Sequence, residues 1–181
     1  MLTLNVTVIP ERYDEETEQF VPPVTIKLDM EHSLVSISKW ESKWHKSFLS
    51  TPDLTDEETL DYIQCMTLTP DVHPDVYSYL SEENVREIRD YIANPMTATT
   101  FSDDKKGRSS REIITSELMY YWMVTWNIPV EFENWHLNRL ITLIRICGIK
   151  NQPDKKMSQK DLASRNAALN AQRRAKLNSK G

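Results

Sequence analysis

A chain of 181 residues with 22 Lys or Arg, 27 Asp or Glu and only three Gly has room for one domain with an appended arm. The scarcity of glycine argues against a phosphate-cradling loop or a turn-dense all-β fold, and no apolar run approaches the roughly 18–20 residues that cross a bilayer. The net charge of −5 is unevenly spread: from Arg145 onward ten Lys or Arg stand against two Asp, giving +8, which leaves −13 on the first 144 residues.

In chain order, Leu2, Leu4, Val6 and Val8 alternate with Thr3, Asn5 and Thr7, the period-two pattern of a half-buried strand. Pro10 stops it, and the acidic segment Glu11 to Glu18 reads as a loop. After Pro22-Pro23 the alternation returns in Val24, Ile26, Leu28 and Met30, which predicts a long-looped hairpin. A lone hairpin is marginal in water and must lean on helices. Those helices follow. Ser33 is placed to cap one that carries Leu34, Ile37, Trp40, Glu41 and Trp44. Thr55 and Glu58 form a capping-box pair that opens a second, with Leu60, Ile63, Gln64 and Met66. Ser81 to Asn84 repeats the cap for Val85, Ile88, Tyr91 and Ile92, and Pro95 ends that helix.

The polar stretch 97–108 reads as an exposed loop. Beyond it Ile113, Ile114, Leu118, Met119, Tyr121, Trp122, Met123 and Trp126 cover much of a helix circumference, which predicts a central, largely buried helix over about 111–126. Asn127-Ile128-Pro129 breaks it. A further helix over about 134–147 carries Leu137, Leu140, Ile141, Ile144 and Cys147, with Gly148 as its C-cap residue. These two are expected to pack as an antiparallel pair at the centre. Past the boundary at Gln152 to Lys156, Ser158 is placed to cap a last helix with Leu162, Leu169, Leu177 and an alanine stripe but no aromatic residue. The expected fold is therefore mainly α with a small N-terminal β-hairpin, an α+β body. That body spans residues 1–150, with the hairpin at 1–31 and a core of about five helices at 33–150. Residues 151–181 form a protruding basic helical arm.

Catalytic constellations are hard to assemble from these residues. His32, His45, His73 and His136 have no second His or Cys at metal-ligand spacing, and there is no Cys-x-x-Cys or Gly-x-Ser-x-Gly. Cys147 and His136 lie eleven residues apart on one predicted helix, about 16 Å along its axis. Cys65 and Cys147 each sit in an apolar helical pattern and read as buried free thiols of a reducing cytosol. Acidic runs such as Asp56-Glu57-Glu58 stand in first helical turns, where carboxylates offset the helix dipole. His136 reads as a partly exposed residue at a helix start. The residues thus predict no catalytic, cofactor-binding or metal site and no enzyme; they predict a protein that works by binding other proteins. Met1 to Asn5 lacks the basic-then-apolar pattern of a secretory leader.

The candidate partner-binding residues are Trp40, Trp44, Trp126 and Trp135, because Trp is enriched at binding hot spots, and Lys155, Lys156, Arg165, Arg173 and Arg174 on the arm. For the tryptophans the competing role is core packing, and for the cations a solvated helix face. The arm lacks the stacking aromatics of a nucleic-acid binder, so protein docking is its better use.

The segments Ile114-Thr115-Ser116-Glu117-Leu118-Met119-Tyr120-Tyr121-Trp122-Met123, Asn127-Ile128-Pro129, Trp135-His136-Leu137-Asn138-Arg139-Leu140 and the ending Lys155-Lys156-Met157-Ser158 … Ser164-Arg165-Asn166-Ala167-Ala168-Leu169-Asn170 resemble tail assembly chaperones of long-tailed bacteriophages. The likeness covers residues 96–178. It implies a mostly helical protein of the host cytoplasm that binds the tape measure protein and helps recruit tail tube subunits. It also implies absence from the mature virion and a longer product made by ribosomal frameshifting. The two N-terminal strands depart from its all-helical pattern. A virion structural protein (a head–tail connector or baseplate component) and a nucleic-acid-binding regulator are the competing readings. Self-association through the arm is compatible with each.

Overall fold

A computed structural model describes residues 1–16, 18–101, 113–151 and 159–177. The strands are β1 (Leu2–Ile9), β2 (Arg12–Asp14), β3 (Gln19–Val21) and β4 (Val24–Met30). The helices are α1 (Leu34–Trp44), α2 (Asp56–Met66), α3 (Glu82–Ala93), α4 (Ser116–Thr125), α5 (Leu137–Lys150) and α6 (Gln159–Leu177), with 3-10 turns at Pro74–Tyr79 and Val130–Asn134. The protein is mainly α with a small N-terminal antiparallel hairpin, as the patterning predicts.

β1 and β4 pair from Leu2↔Met30 to Thr7↔Thr25, so Leu4, Val6, Leu28 and Met30 share the face that is buried. A bulge then shifts the register to Ile9↔Val24. The segment expected to be a loop is more ordered than that. Pro10 and Pro22-Pro23 interrupt the ladder because proline has no N–H to give. Beyond them a short second ladder resumes with Tyr13 opposite Phe20. The far edge of β4 is closed by the chain leaving α2: the Leu68 N–H donates to the Asp29 carbonyl (2.8 Å) and the Glu31 N–H to that of Met66 (2.9 Å).

Three predicted caps form. Ser33 accepts from the Ser36 N–H while the Ser36 hydroxyl takes the Ser33 N–H in return; Thr55 with Glu58 and Ser81 with Asn84 do the same. The Asn127-Ile128-Pro129 break is a Schellman ending. Asn127 adopts positive φ, and the Ile128 N–H reaches back to the Met123 carbonyl at 2.8 Å.

The centre is not where the apolar density of residues 113–126 suggests. α1 is the hub, touching α2, α4 and the 3-10 turn at Val130–Asn134, and it contributes the fully buried Leu34, Ile37 and Trp40. α4 buries one face, Ser116, Met119 and Met123, and leaves Tyr121 and Val124 in solvent. It starts only at Ser116, with Thr115 as its cap, and Ile113 and Ile114 are exposed; residues 102–112 lie outside the described residues. The closer helix contact of α4 is with α1 rather than with α5. Gly148 is not a cap: α5 continues through it to Lys150.

The chain divides into two compact units, Met1–Cys147 and Gly148–Gly181. The first holds the whole apolar core. In the second, each α6 side chain that is described, 163–174 with 176 and 177, is exposed. Among the described residues no helix is long and apolar enough to cross a membrane.

Candidate functional site

The chemically richest cluster is internal. His32 and His136 meet edge to face at 5.2 Å where β4 runs into α1 and α5 begins. The Leu137 N–H donates to the His32 carbonyl at 2.7 Å and locks the two segments together. His136 Nδ1 accepts from the Asn138 N–H (3.3 Å), so the ring proton sits on Nε2 and is donated to the Tyr91 carbonyl at 2.9 Å. His32 Nδ1 is hydrogen-bonded to the Tyr62 hydroxyl, which also lies 3.4 Å from Ser36 Oγ. Burial, with the neighbouring His136 ring adding to it, pulls the His32 pKa down to about 3, and burial drives the Tyr62 phenol up. Tyr91 donates to Glu31 (2.6 Å), whose other oxygen holds the Met1 ammonium at 2.8 Å. Both histidine rings are buried. A substrate has no approach to them, and the cluster acts as a clasp. The expectation of a partly exposed His136 is thus overturned, because the chain folds His32 and Tyr91 over it.

A second cluster joins α1, α2 and α4 through buried carboxylates. Glu41 accepts the Phe48 N–H at 2.8 Å and the Ser116 N–H at 2.7 Å, so one side chain anchors both the chain after α1 and the start of α4. Glu58 accepts from its own cap at Thr55 and from Lys46, and the Lys46 ammonium holds its carboxyl below the usual range. Asp61 accepts the Trp44 indole N–H at 2.9 Å and pairs with Lys43. Every one of these acceptors is occupied by a structural donor. Among the described residues no group of three or more His, Cys, Asp or Glu is placed to hold a metal ion, and Cys65 and Cys147 are free and half-buried rather than fully buried.

What the body offers outward is aromatic. Along α4 and the segment after it, Tyr121, Val124 and Val130 are 62%, 77% and 59% exposed. Beside them Trp122 and Trp126 stack at 6.5 Å and are half-buried. On the following turn Phe132 stacks on Trp135 at 3.9 Å, and the Arg139 guanidinium covers the Trp135 ring at 3.9 Å. Tyr120 donates to Glu133 at 2.8 Å and ties α4 to that turn. The surface is therefore rigid backing with apolar side chains standing on it, edged by the exposed Glu117 and Glu131.

The predicted site residues scatter. Trp40 is fully buried, its indole N–H given to the Glu58 carbonyl at 2.9 Å, and it has no surface for a partner. Trp44 stacks on it at 6.1 Å and is half-buried beneath the Lys43 and Lys46 ammoniums. Trp126 and Trp135 both belong to the aromatic surface. Arg165, Arg173 and Arg174 are exposed on α6, while Lys155 and Lys156 lie outside the described residues. Sequence reasoning missed Tyr121, Val124 and Val130 as surface residues. The signal was available: an apolar helix that is hydrophobic all round must either be enclosed or expose a face, and only neighbours decide which.

A comparison with protein-family models, curated proteins and solved structures finds no match to the chain.

Proposed function

We propose that this chain is a protein-binding assembly factor, a tail assembly chaperone of a long-tailed bacteriophage that acts in the host cytoplasm. In this reading it holds the tape measure protein and helps bring tail tube subunits to it. The observation that carries the binding role is the aromatic surface of α4 and the 3-10 turn, where Tyr121, Val124 and Val130 stand exposed over the stacked Trp122–Trp126 pair. A tape measure protein is a long helical chain with apolar stripes. Such a stripe is recognised by laying it on exposed apolar side chains with a polar rim. The specific identity rests on the resemblance of residues 96–178 to the chaperones.

Co-expression with the tape measure protein tests the reading. Tagged wild-type chain is expected to retain it, and a Tyr121→Ser, Val124→Ser variant to lose it while keeping its circular dichroism. Recovery of neither tape measure nor tube protein by the wild type would sink the proposal. Mass spectrometry of purified virions separates it from its competitor, since an abundant virion copy makes the chain a structural component instead.

A further inference from the structure

The distal end of the hairpin has no evident use in the fold. Tyr13 and Phe20 face each other across the β2–β3 ladder with rings 5.2 Å apart, and they are 52% and 69% exposed. Ile9 and Val24, paired at the bulge just below, are exposed as well. The cross-strand Tyr13–Phe20 pair steadies a ladder only three residues long, yet both rings leave more than half of their surface in water. Around this apolar tip stand the exposed Glu11, Glu15, Glu16 and Glu18, with Arg12 the one cation between Met1 and Asp14.

A complementary element exists in the same chain. α6 is 19 residues of strong helix formers, and each of its described side chains is exposed, Leu169 and Leu177 among them. Helices draw most of their stability from packing a face, and the described apolar positions Leu169 and Leu177 of this one are exposed. Its last turns carry Arg173, Arg174 and Lys176, so its apolar positions are flanked by the charge that the tip lacks.

We infer that the hairpin tip is a docking site for the C-terminal helix of a second copy of this chain, so that the protein self-associates head to tail. Leu169 and Leu177 cover Tyr13 and Phe20, and Arg173, Arg174 and Lys176 meet the ring of glutamates. The contact is heterologous, so a joined pair keeps one free tip and one free helix, and association propagates or closes into a ring. Because most of the attraction is between solvent-exposed charges, it weakens with salt. This inference is independent of the tape measure reading, since it needs only the purified chain.

Sedimentation velocity on the full chain over a concentration series decides it. The expected result is a mass that rises with concentration at low salt and an association constant that drops by about tenfold or more at high salt. Charge reversal of the helix (R173E, R174E, K176E) or of the tip (E15K, E16K, E18K) is each expected to weaken association at least about tenfold, the equivalent of about 1.4 kcal/mol. Mixing the two reversed proteins is expected to restore it, which no loss of folding can imitate. A monomer at every concentration and salt overturns the inference. So does an association that both reversals leave unchanged, or one that appears only with added nucleic acid.

Discussion

Two helices of this protein carry a tryptophan pair at i, i+4, and they put it to different uses. On α1, Trp40 and Trp44 stack at 6.1 Å, with Trp40 fully buried and both indole N–H groups given to α2. On α4, Trp122 and Trp126 stack at 6.5 Å and both stay half-exposed beside Tyr121 and Val124. The spacing is the same and sets the same stacking. What differs is the number of neighbours. α1 is enclosed by α2, α4 and the 3-10 turn, whereas α4 leans on α1 and, through Tyr120, on that turn, and leaves Tyr121 and Val124 to water. One pair is a keystone and the other is backing for a surface.

The largest effect should come from breaking the keystone. Trp40→Ala removes a fully buried aromatic together with its indole hydrogen bond to the Glu58 carbonyl, and is expected to cost about 3–5 kcal/mol in denaturant unfolding. Trp126→Ala should cost distinctly less; equal losses would show that the two pairs are equivalent after all. Next comes the link between the two helices. Glu41→Gln keeps the shape but replaces one carboxylate acceptor by a donor facing a backbone N–H, at a cost of about 1–3 kcal/mol. Glu41→Ala, which removes both acceptors, should accelerate amide hydrogen exchange at Ser116 and Phe48 together, and if only one of them speeds up the shared anchor is disproved.

A pH titration sharpens the contrast between clasp and surface. His32 has a folded pKa of about 3 against its ordinary 6.5, so below 6.5 the unfolded chain takes up a proton that the folded one refuses. The His32 contribution is fully present above pH 6.5 and is lost as the pH falls toward 3. Between pH 6.5 and 5 this amounts to about 2 kcal/mol. His32→Asn should flatten that part of the stability curve, and a slope indifferent to the substitution would remove the buried imidazole as its cause. The smallest effect is expected at the surface: Tyr121→Ser with Val124→Ser should shift stability by no more than about 0.5 kcal/mol each while abolishing partner capture.

Much of the local structure was legible. The alternation at Leu2–Val8 and Val24–Met30, the caps at Ser33, Thr55 and Ser81, and the break at Asn127-Ile128-Pro129 all depend on residues within a few positions of one another, and all form. The exposed aromatic surface was only half legible. Trp126 and Trp135 were marked as candidates, but so was Trp40, which is core; the exposed Tyr121 was assigned to a largely buried helix, and Val124 and Val130 were not singled out. The β2–β3 ladder was missed because its strands are three residues long and its flanks read as acidic loop.

By itself, then, the sequence determined the main helices and the β1–β4 hairpin, the capped starts of α1, α2 and α3, and the charge division between body and arm. Periodicity and capping chemistry act over one or two turns, so one chain segment contains all the information they need. Only the tertiary structure decided which faces are covered. It made α1 rather than α4 the centre, brought His32 and His136 together across 104 positions, and assigned Glu41 to hold the start of α4. Those outcomes depend on contacts between segments far apart in the chain, and no pattern local to either partner records them.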